Sequence, residues 1–332
     1  MSYKLIHSLL IMANRLKIQL LLCFCLLFMA NHLKAQQEIM YSQYMYNMIN
    51  VNPAYAGDRV GDNITSLFRK QLLNIKGAPA TFSLSWDEGI GTASGSSGLH
   101  NLNNLSKVGC GLQIYKDQLG IETNQGIQAF YSYHLIFTNS YLSLGLSGGI
   151  MNYQAAYSQI YTTTAGDPLF QEDVSAFIPT AGVGALYAAE QWYVGFSVPT
   201  LLRTKVTNNG MTITTGSDSH YFLTGGYIFD VSEDIKLKPS IMLRAVKSEP
   251  LRYDLNLNMW IQNTIGLGVS YHKNDAVIGM VQVRITPQIT LGYAYDYIIS
   301  TLKLFGGGSN ELLLNFQFNS PVKSHIMSSR YY

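Results

Sequence analysis

The stretch from Tyr253 to Gln262, YDLNLNMWIQ, alternates without a break. Tyr253, Leu255, Leu257, Met259 and Ile261 take one set of positions, and Asp254, Asn256, Asn258, Trp260 and Gln262 take the other. A strand sends successive side chains to opposite faces, so a period of two separates one face from the other. The same pattern returns in Leu142, Leu144, Leu146 and Ile150 against Tyr141, Ser143, Gly145, Ser147 and Gly149. It returns again in Ile289, Leu291, Tyr293, Tyr295 and Tyr297 against Gln288, Thr290, Gly292, Ala294 and Asp296. One face is large and aliphatic or aromatic; the other is small, polar or charged. A soluble β-sandwich alternates in the same way. Three further features decide the matter: an export signal, strands of about the ten residues that cross a bilayer at a tilt, and the absence of other structure. Together they predict an all-β fold, a transmembrane antiparallel β-barrel, apolar toward lipid and polar toward the lumen.

Fourteen candidate strands follow, an even number, as bacterial single-chain barrels have. They fall near 62–70, 80–87, 107–116, 125–137, 140–152, 179–189, 191–198, 220–230, 235–246, 251–262, 263–273, 276–286, 288–297 and 310–318. Thr138-Asn139-Ser140, Val231-Ser232-Glu233-Asp234 and Lys273-Asn274-Asp275 are tight turns by composition. The longer links 88–106, 153–178, 199–219 and 298–309 are rich in Gly, Ser, Thr and Asn. The expected division is a signal peptide at 1–35, an aromatic-rich plug or leader at 36–61, the barrel at 62–319 and a tail at 320–332.

The signal reading rests on Lys4, Arg15 and Lys17 ahead of the apolar run Leu20–Ala30, with Ala35 before Gln36 as the cleavage point. Met12 offers a second start, because the segment from Asn14 onward is a complete signal by itself. Two of the three cysteines, Cys23 and Cys25, lie in that run, so the mature chain keeps only Cys110 and forms no internal disulfide. Cys23 lacks a lipoprotein cleavage context. The 332 residues carry a net charge of +2, which gives no electrostatic reason to expect nucleic acid as a partner. Tyr is abundant at 23 residues, and tyrosine girdles suit an outer-membrane barrel.

Inward parity collects Asp87, Gln113, Gln128, His134, Lys236, Lys238, Arg244, Asp254, Arg284 and Asp296. These suit a hydrated or plugged lumen with compensating charge. Inward positions such as Ser143 and Asn256 are expected to tolerate a new charge far better than the outward Leu144 and Leu257. Gly145-Leu146-Ser147-Gly148-Gly149 matches the nucleophile elbow Gly-x-Ser-x-Gly, but that motif needs a sharp strand-to-helix turn, and this one lies inside an alternating strand. His134 and His272 have no nucleophile at a telling spacing. No metalloprotease, P-loop or dinucleotide fingerprint is present. A non-enzymatic barrel without cofactor or metal is expected.

The segment 36–57, QQEIMYSQYMYNMINVNPAYAG, differs in character. It is apolar and aromatic through Tyr41, Tyr44, Met45 and Tyr46, without strand alternation, and closes on the turn Asn52-Pro53-Ala54-Tyr55-Ala56-Gly57. Left exposed it would aggregate, so it is expected to be buried at the barrel mouth, in the lumen or as a leader on the wall.

Ser42-Gln43-Tyr44-Met45 followed by Asn52-Pro53-Ala54-Tyr55-Ala56-Gly57 resembles the opening of the PorP/SprF family of type IX secretion system membrane proteins. Gly77-Ala78-Pro79 with Thr81, Asp117 with Gly120, and Gly195-Phe196-Ser197-Val198-Pro199 are similar to the same family in the same order. So are Gly292-Tyr293 with Tyr295-Asp296-Tyr297, and Gly308-Ser309-Asn310-Glu311-Leu312. The resemblance implies an outer-membrane barrel of Bacteroidota that accompanies a large secreted or adhesin-like surface protein. It further implies type IX secretion components as partners, and for some members a periplasmic peptidoglycan-binding lipoprotein. The expected function is an accessory barrel that supports export or surface retention of such a partner, holding its C-terminal domain on loops 88–106, 153–178 or 199–219. Asp167-Pro168-Leu169-Phe170 is the candidate contact. The alternative is an outer-membrane porin or hydrophobic-solute transporter.

Overall fold

The computed structural model describes residues 40–59, 61–90, 107–159, 172–202, 204–208, 211–215, 219–247, 249–304 and 306–318. The expected signal at 1–35, the patch Asp167-Pro168-Leu169-Phe170 and the tail at 320–332 lie outside the described residues.

Among the described residues seventeen strands run in chain order. They are β1 (Asp62–Lys70), β2 (Ala80–Ile90), β3 (Val108–Leu119), β4 (Glu122–Ile136), β5 (Ser140–Ala155), β6 (Val174–Ala189), β7 (Trp192–Val198), β8 (Thr204–Asn208) and β9 (Met211–Thr215). There follow β10 (His220–Tyr227), β11 (Phe229–Asp230), β12 (Ile235–Val246), β13 (Arg252–Ile261), β14 (Ile265–His272), β15 (Ala276–Arg284), β16 (Ile289–Ile298) and β17 (Ser309–Phe318). Fourteen of them close an antiparallel barrel; β8 and β9 pair only with each other, and β11 continues β10 past Ile228. The seam joins first and last strands from Asp62 opposite Phe318 to Lys70 opposite Asn310. Closure satisfies the backbone groups that an open edge would leave unpaired in lipid.

The alternation dictates the facing. Leu144 is 49% exposed and Leu257 48%, whereas their neighbours Ser143 and Asn258 are fully buried. Along β5 the outward residues stay apolar from Leu142 to Ile150, about one bilayer crossing, and then become Asn152 and Gln154. Strands β4 to β6 run past that band, so β5 ends at Ala155 and β6 begins at Val174, five residues before the expected 179. The polar outward residues above the lipid still pair, and polarity had marked those from 153 to 178 as loop.

Three expectations are corrected. The link 199–219 holds the β8–β9 hairpin, and the link 298–309 holds a short turn of 3-10 helix at Thr301–Leu304. Of the three candidate docking loops, 88–106 is bounded by strand ends on the opposite rim from those that bound 153–178 and 199–219. Antiparallel order puts the β2–β3 link on the rim where β1 starts and β17 ends, and the β5–β6 and β7–β10 links on the other rim. We call these the lower and upper rims.

Candidate functional site: the barrel lumen

The N-terminal segment, residues 40–59, runs down through the lumen. Asn47 divides two short turns of 3-10 helix, Tyr44–Tyr46 and Met48–Asn50, and Asn52 caps a third, Pro53–Tyr55. The Asn52 side chain accepts the Ala54 N–H at 2.9 Å, and Pro53 occupies the first position, where a missing N–H costs nothing. Local hydrogen bonding of this kind keeps the segment from joining the sheet.

At the upper end the segment is held at the seam. Glu311 on β17 accepts the Ser42 and Gln43 N–H groups, one on each carboxylate oxygen, both at 2.7 Å. Asp296 on β16 accepts the Ser42 hydroxyl at 2.8 Å and pairs with Arg69 of β1 at 2.7 Å. Arg69 lies 3.8 Å from Glu311 and donates to the Met40 carbonyl. Charge-assisted bonds of this sort are the stronger ones, and here each buried charge has an opposite partner. The family-like patches at the two ends of the chain thus meet in one cluster.

At the lower end the wall of β4 to β7 receives the Asn-Pro-Ala-Tyr-Ala-Gly turn. Ser197 donates to the Val51 carbonyl at 2.8 Å, Ser143 to that of Ala54 at 2.6 Å, and Ser132 to that of Ala56 at 2.7 Å. Asn52 donates to the Ala185 carbonyl at 3.1 Å, Tyr141 donates to Asp58, and Arg59 pairs with Asp87 at 2.7 Å. Inward glycines make the room. A Cβ on Gly184 would lie 1.9 Å from Asn52 Oδ1, and one on Gly145 would lie 2.2 Å from the Ala54 nitrogen. Gly57 has a positive φ of 62° and backs onto Gly109, an approach that only glycines permit.

Between the two ends lies an apolar cluster inside the barrel. Tyr41, Tyr44, Met45 and Val51 pack on the inward-facing Leu67, Phe222, Met242, Ile278, Met280 and Leu313. The expected polar lumen is therefore only partly polar, because the segment supplies apolar partners for an apolar belt. Tyr44 OH accepts from Asn256 Nδ2 at 2.7 Å, Tyr46 OH donates to Asn258 at 3.0 Å, and Tyr55 packs beside Tyr141 and Leu186. The expected tolerance of Ser143 and Asn256 for charge is also corrected: both are buried against the segment, not facing open water.

Three residues bear on the question of catalysis: Ser147, His272 and His134. Ser147 lies in the middle of the unbroken strand β5 and accepts from Gln128 at 3.1 Å. His272 is 4.0 Å from Asp254. His134 does have a hydroxyl neighbour that spacing had not brought out: Ser132 Oγ, two residues earlier on the same face, is 3.1 Å from its Nε2. That serine is fully buried beneath Ala56 and bonds its carbonyl. Among the described residues no group of three or more His, Cys, Asp or Glu is placed to hold a metal ion.

A family model described as type IX secretion system membrane protein PorP/SprF matches residues 33–316. Similar solved structures include Omp33 of Acinetobacter baumannii, at 9% identity over 79% of this chain and 100% of that one, with a TM-score of 0.47. The toluene transporter TbuX of Ralstonia pickettii is 8% identical over 81% of this chain and 93% of that one, with a TM-score of 0.48. A FadL homologue of Pseudomonas aeruginosa is 11% identical over 83% and 94%, with a TM-score of 0.44. No curated protein matches the sequence.

Proposed function

The chain belongs to the PorP/SprF family of type IX secretion system membrane proteins, and from that premise we propose that it is a non-conducting, non-enzymatic accessory barrel that holds a protein partner. It is an outer-membrane protein. Its partner in this reading is a large secreted, adhesin-like surface protein whose C-terminal domain is exported or retained with the barrel's help. Other type IX components, including a periplasmic peptidoglycan-binding lipoprotein, are the contacts on the opposite side.

The observation that carries this reading is the filled lumen. A solute channel needs a continuous wet path. Here, between two polar anchors, the segment packs on one side into the apolar cluster around Tyr44 and Ile278 and on the other against Ser85, Gly111 and Phe130. With its bore taken up by its own chain, the barrel works through its rims, and loops on a rigid scaffold are where binding resides. Barrels of this kind keep short turns toward the periplasm and longer loops outside. Short links after β4, β6, β13 and β15 on the lower rim, against the longer ones after β5, β7 and β16 on the upper, support a periplasmic lower rim and an extracellular upper rim. The division is not strict: β3 and β14 are followed by short links on the upper rim, and β2 by a long one on the lower.

Affinity purification of the barrel from outer membranes, followed by mass spectrometry, tests the proposal. A secreted surface protein and type IX components should be recovered in stable amounts. Recovery of the barrel alone, together with ion conductance in planar bilayers, would favour the porin or hydrophobic-solute transporter reading.

A further inference from the structure

The β6 strand has sixteen residues and β7 only seven. Every residue of β6 pairs with β5, from Ala155 opposite Val174 to Ser140 opposite Ala189. Pairing with β7 covers only Val183 to Ala188. The chain then turns away at Pro199, and its last bond to β6 is from the Leu201 N–H to the Ala181 carbonyl at 2.8 Å. Among the described residues nothing pairs with the same flank of β6 from Ser175 to Thr180. The β8–β9 hairpin comes within 8 Å of β6 at Cα yet pairs only with itself.

The register says which groups this flank offers. N–H and C=O of one strand residue point the same way, and alternate residues point to opposite neighbours. The Ala181 carbonyl faces away from β5, so Pro179, Phe177 and Ser175 face away from it too. The flank therefore presents the N–H and C=O of Ser175 and Phe177 and the carbonyl of Pro179. It stands above the lipid band, because Phe177 lies opposite Asn152, the first polar outward residue of β5. It is also firmly backed: Tyr153, Ala155, Val174 and Ile178 form their own small core on the inner face.

Natural edges are blunted by charge, by proline or by a cover. No residue from Val174 to Thr180 is charged, and Pro179 removes a single donor. Apolar side chains stand exposed along the edge, with Phe177 70% exposed and Leu201 and Leu202 at 43% and 42%, next to the exposed Ser175 and below the charged Glu172 and Asp173. An edge that no described residue pairs with, uncharged from Val174 to Thr180 and flanked by exposed apolar side chains, suits an added strand, in which main-chain bonds give affinity and side chains give register.

We propose that the upper part of β6, Ser175 to Thr180, docks an extended, uncharged strand of the secreted partner by β-augmentation. This deepens the accessory-barrel reading and rests on it. The docked strand bonds Ser175 and Phe177 and lays an apolar side chain beside Phe177.

Photo-crosslinking side chains at positions 175 and 177, introduced one at a time in intact cells, test the proposal. Adducts from the two sites should map to one extended segment of one secreted protein, two residues apart. Phe177→Pro removes a donor from the free flank without touching the bonds to β5. It should lower the adduct yield at position 175 about tenfold, the equivalent of one main-chain hydrogen bond. Phe177→Lys, which charges the edge, should do the same while heat-modifiable migration shows the barrel intact. Adducts to residues 204–215 of this chain or to a second copy, or a yield that ignores both substitutions, would overturn the proposal. A partner that co-purifies without adducts would overturn the edge and leave the accessory reading standing; absence of both would remove both.

Discussion

Glu311 and Ser42 stand 269 positions apart in the chain and are joined by a 2.7 Å hydrogen bond, from the Ser42 N–H to a carboxylate oxygen on the last strand. The second oxygen of the same carboxylate takes the Gln43 N–H. Barrel closure and the seating of the N-terminal segment thus share one residue, since Glu311 also lies opposite Arg69 across the seam.

Glu311→Ala should release the upper end of the segment. Two hydrogen bonds to a charged group are lost, at about 1.5–3 kcal/mol each, and Arg69 keeps only Asp296 as its acidic partner. Limited proteolysis of the purified barrel should then cut within residues 40–50, where the parent resists. Glu311→Gln, which keeps one strong acceptor oxygen, should fall between the two. Equal protection in all three would show that the clamp does not hold the segment.

Inward glycines should be intolerant where the segment touches them and tolerant elsewhere. Gly184→Val places atoms where Asn52 Oδ1 now sits, an overpacking that costs about 1–3 kcal/mol or expels the turn. Gly148→Ala, on the outward face with nothing within 4 Å of the new methyl, should be neutral. The midpoint of heat-modifiable migration measures both, and an equal loss at the two sites would contradict the packing described.

Leu144→Arg should impair membrane assembly, because a charge on the lipid face near mid-bilayer costs about 2–4 kcal/mol. Ser143→Asp should fail differently. Ser143 donates to Ala54 and is fully buried, so a carboxylate there opposes that carbonyl and dislodges the segment. Outer-membrane abundance should drop for Leu144→Arg, whereas for Ser143→Asp the barrel should assemble with residues 51–59 open to protease. Normal abundance of Leu144→Arg would show the facing to be wrong.

The facing of the strands was legible because it is local. Leu144, Leu257 and Tyr295 lie outward as alternation requires, and the same rule turns Asp254 and Asp296 inward. Strand ends were less legible. Gln154 and Ser175 read as loop because polarity there marks the end of the lipid and not the end of the strand. The β8–β9 hairpin was hidden in the same way, although Asn209-Gly210 between two β-branched runs is a hairpin signal. The apolar belt of the lumen could not be read locally at all. Leu67, Phe222 and Ile278 look misplaced on an inward face until Tyr41 and Tyr44 arrive from a segment some distance away in the chain. Ser42-Gln43 and Asn310-Glu311 stood out as family-like patches, yet only the folded seam brings them into contact.

The central claim is that the barrel's own segment closes its lumen, and ion conductance in planar lipid bilayers tests it most directly. The intact protein should insert and stay electrically silent, while a variant lacking residues 40–59 should show stable, stepwise conductance. Steady conductance of the intact protein, unchanged by that deletion, would contradict the account.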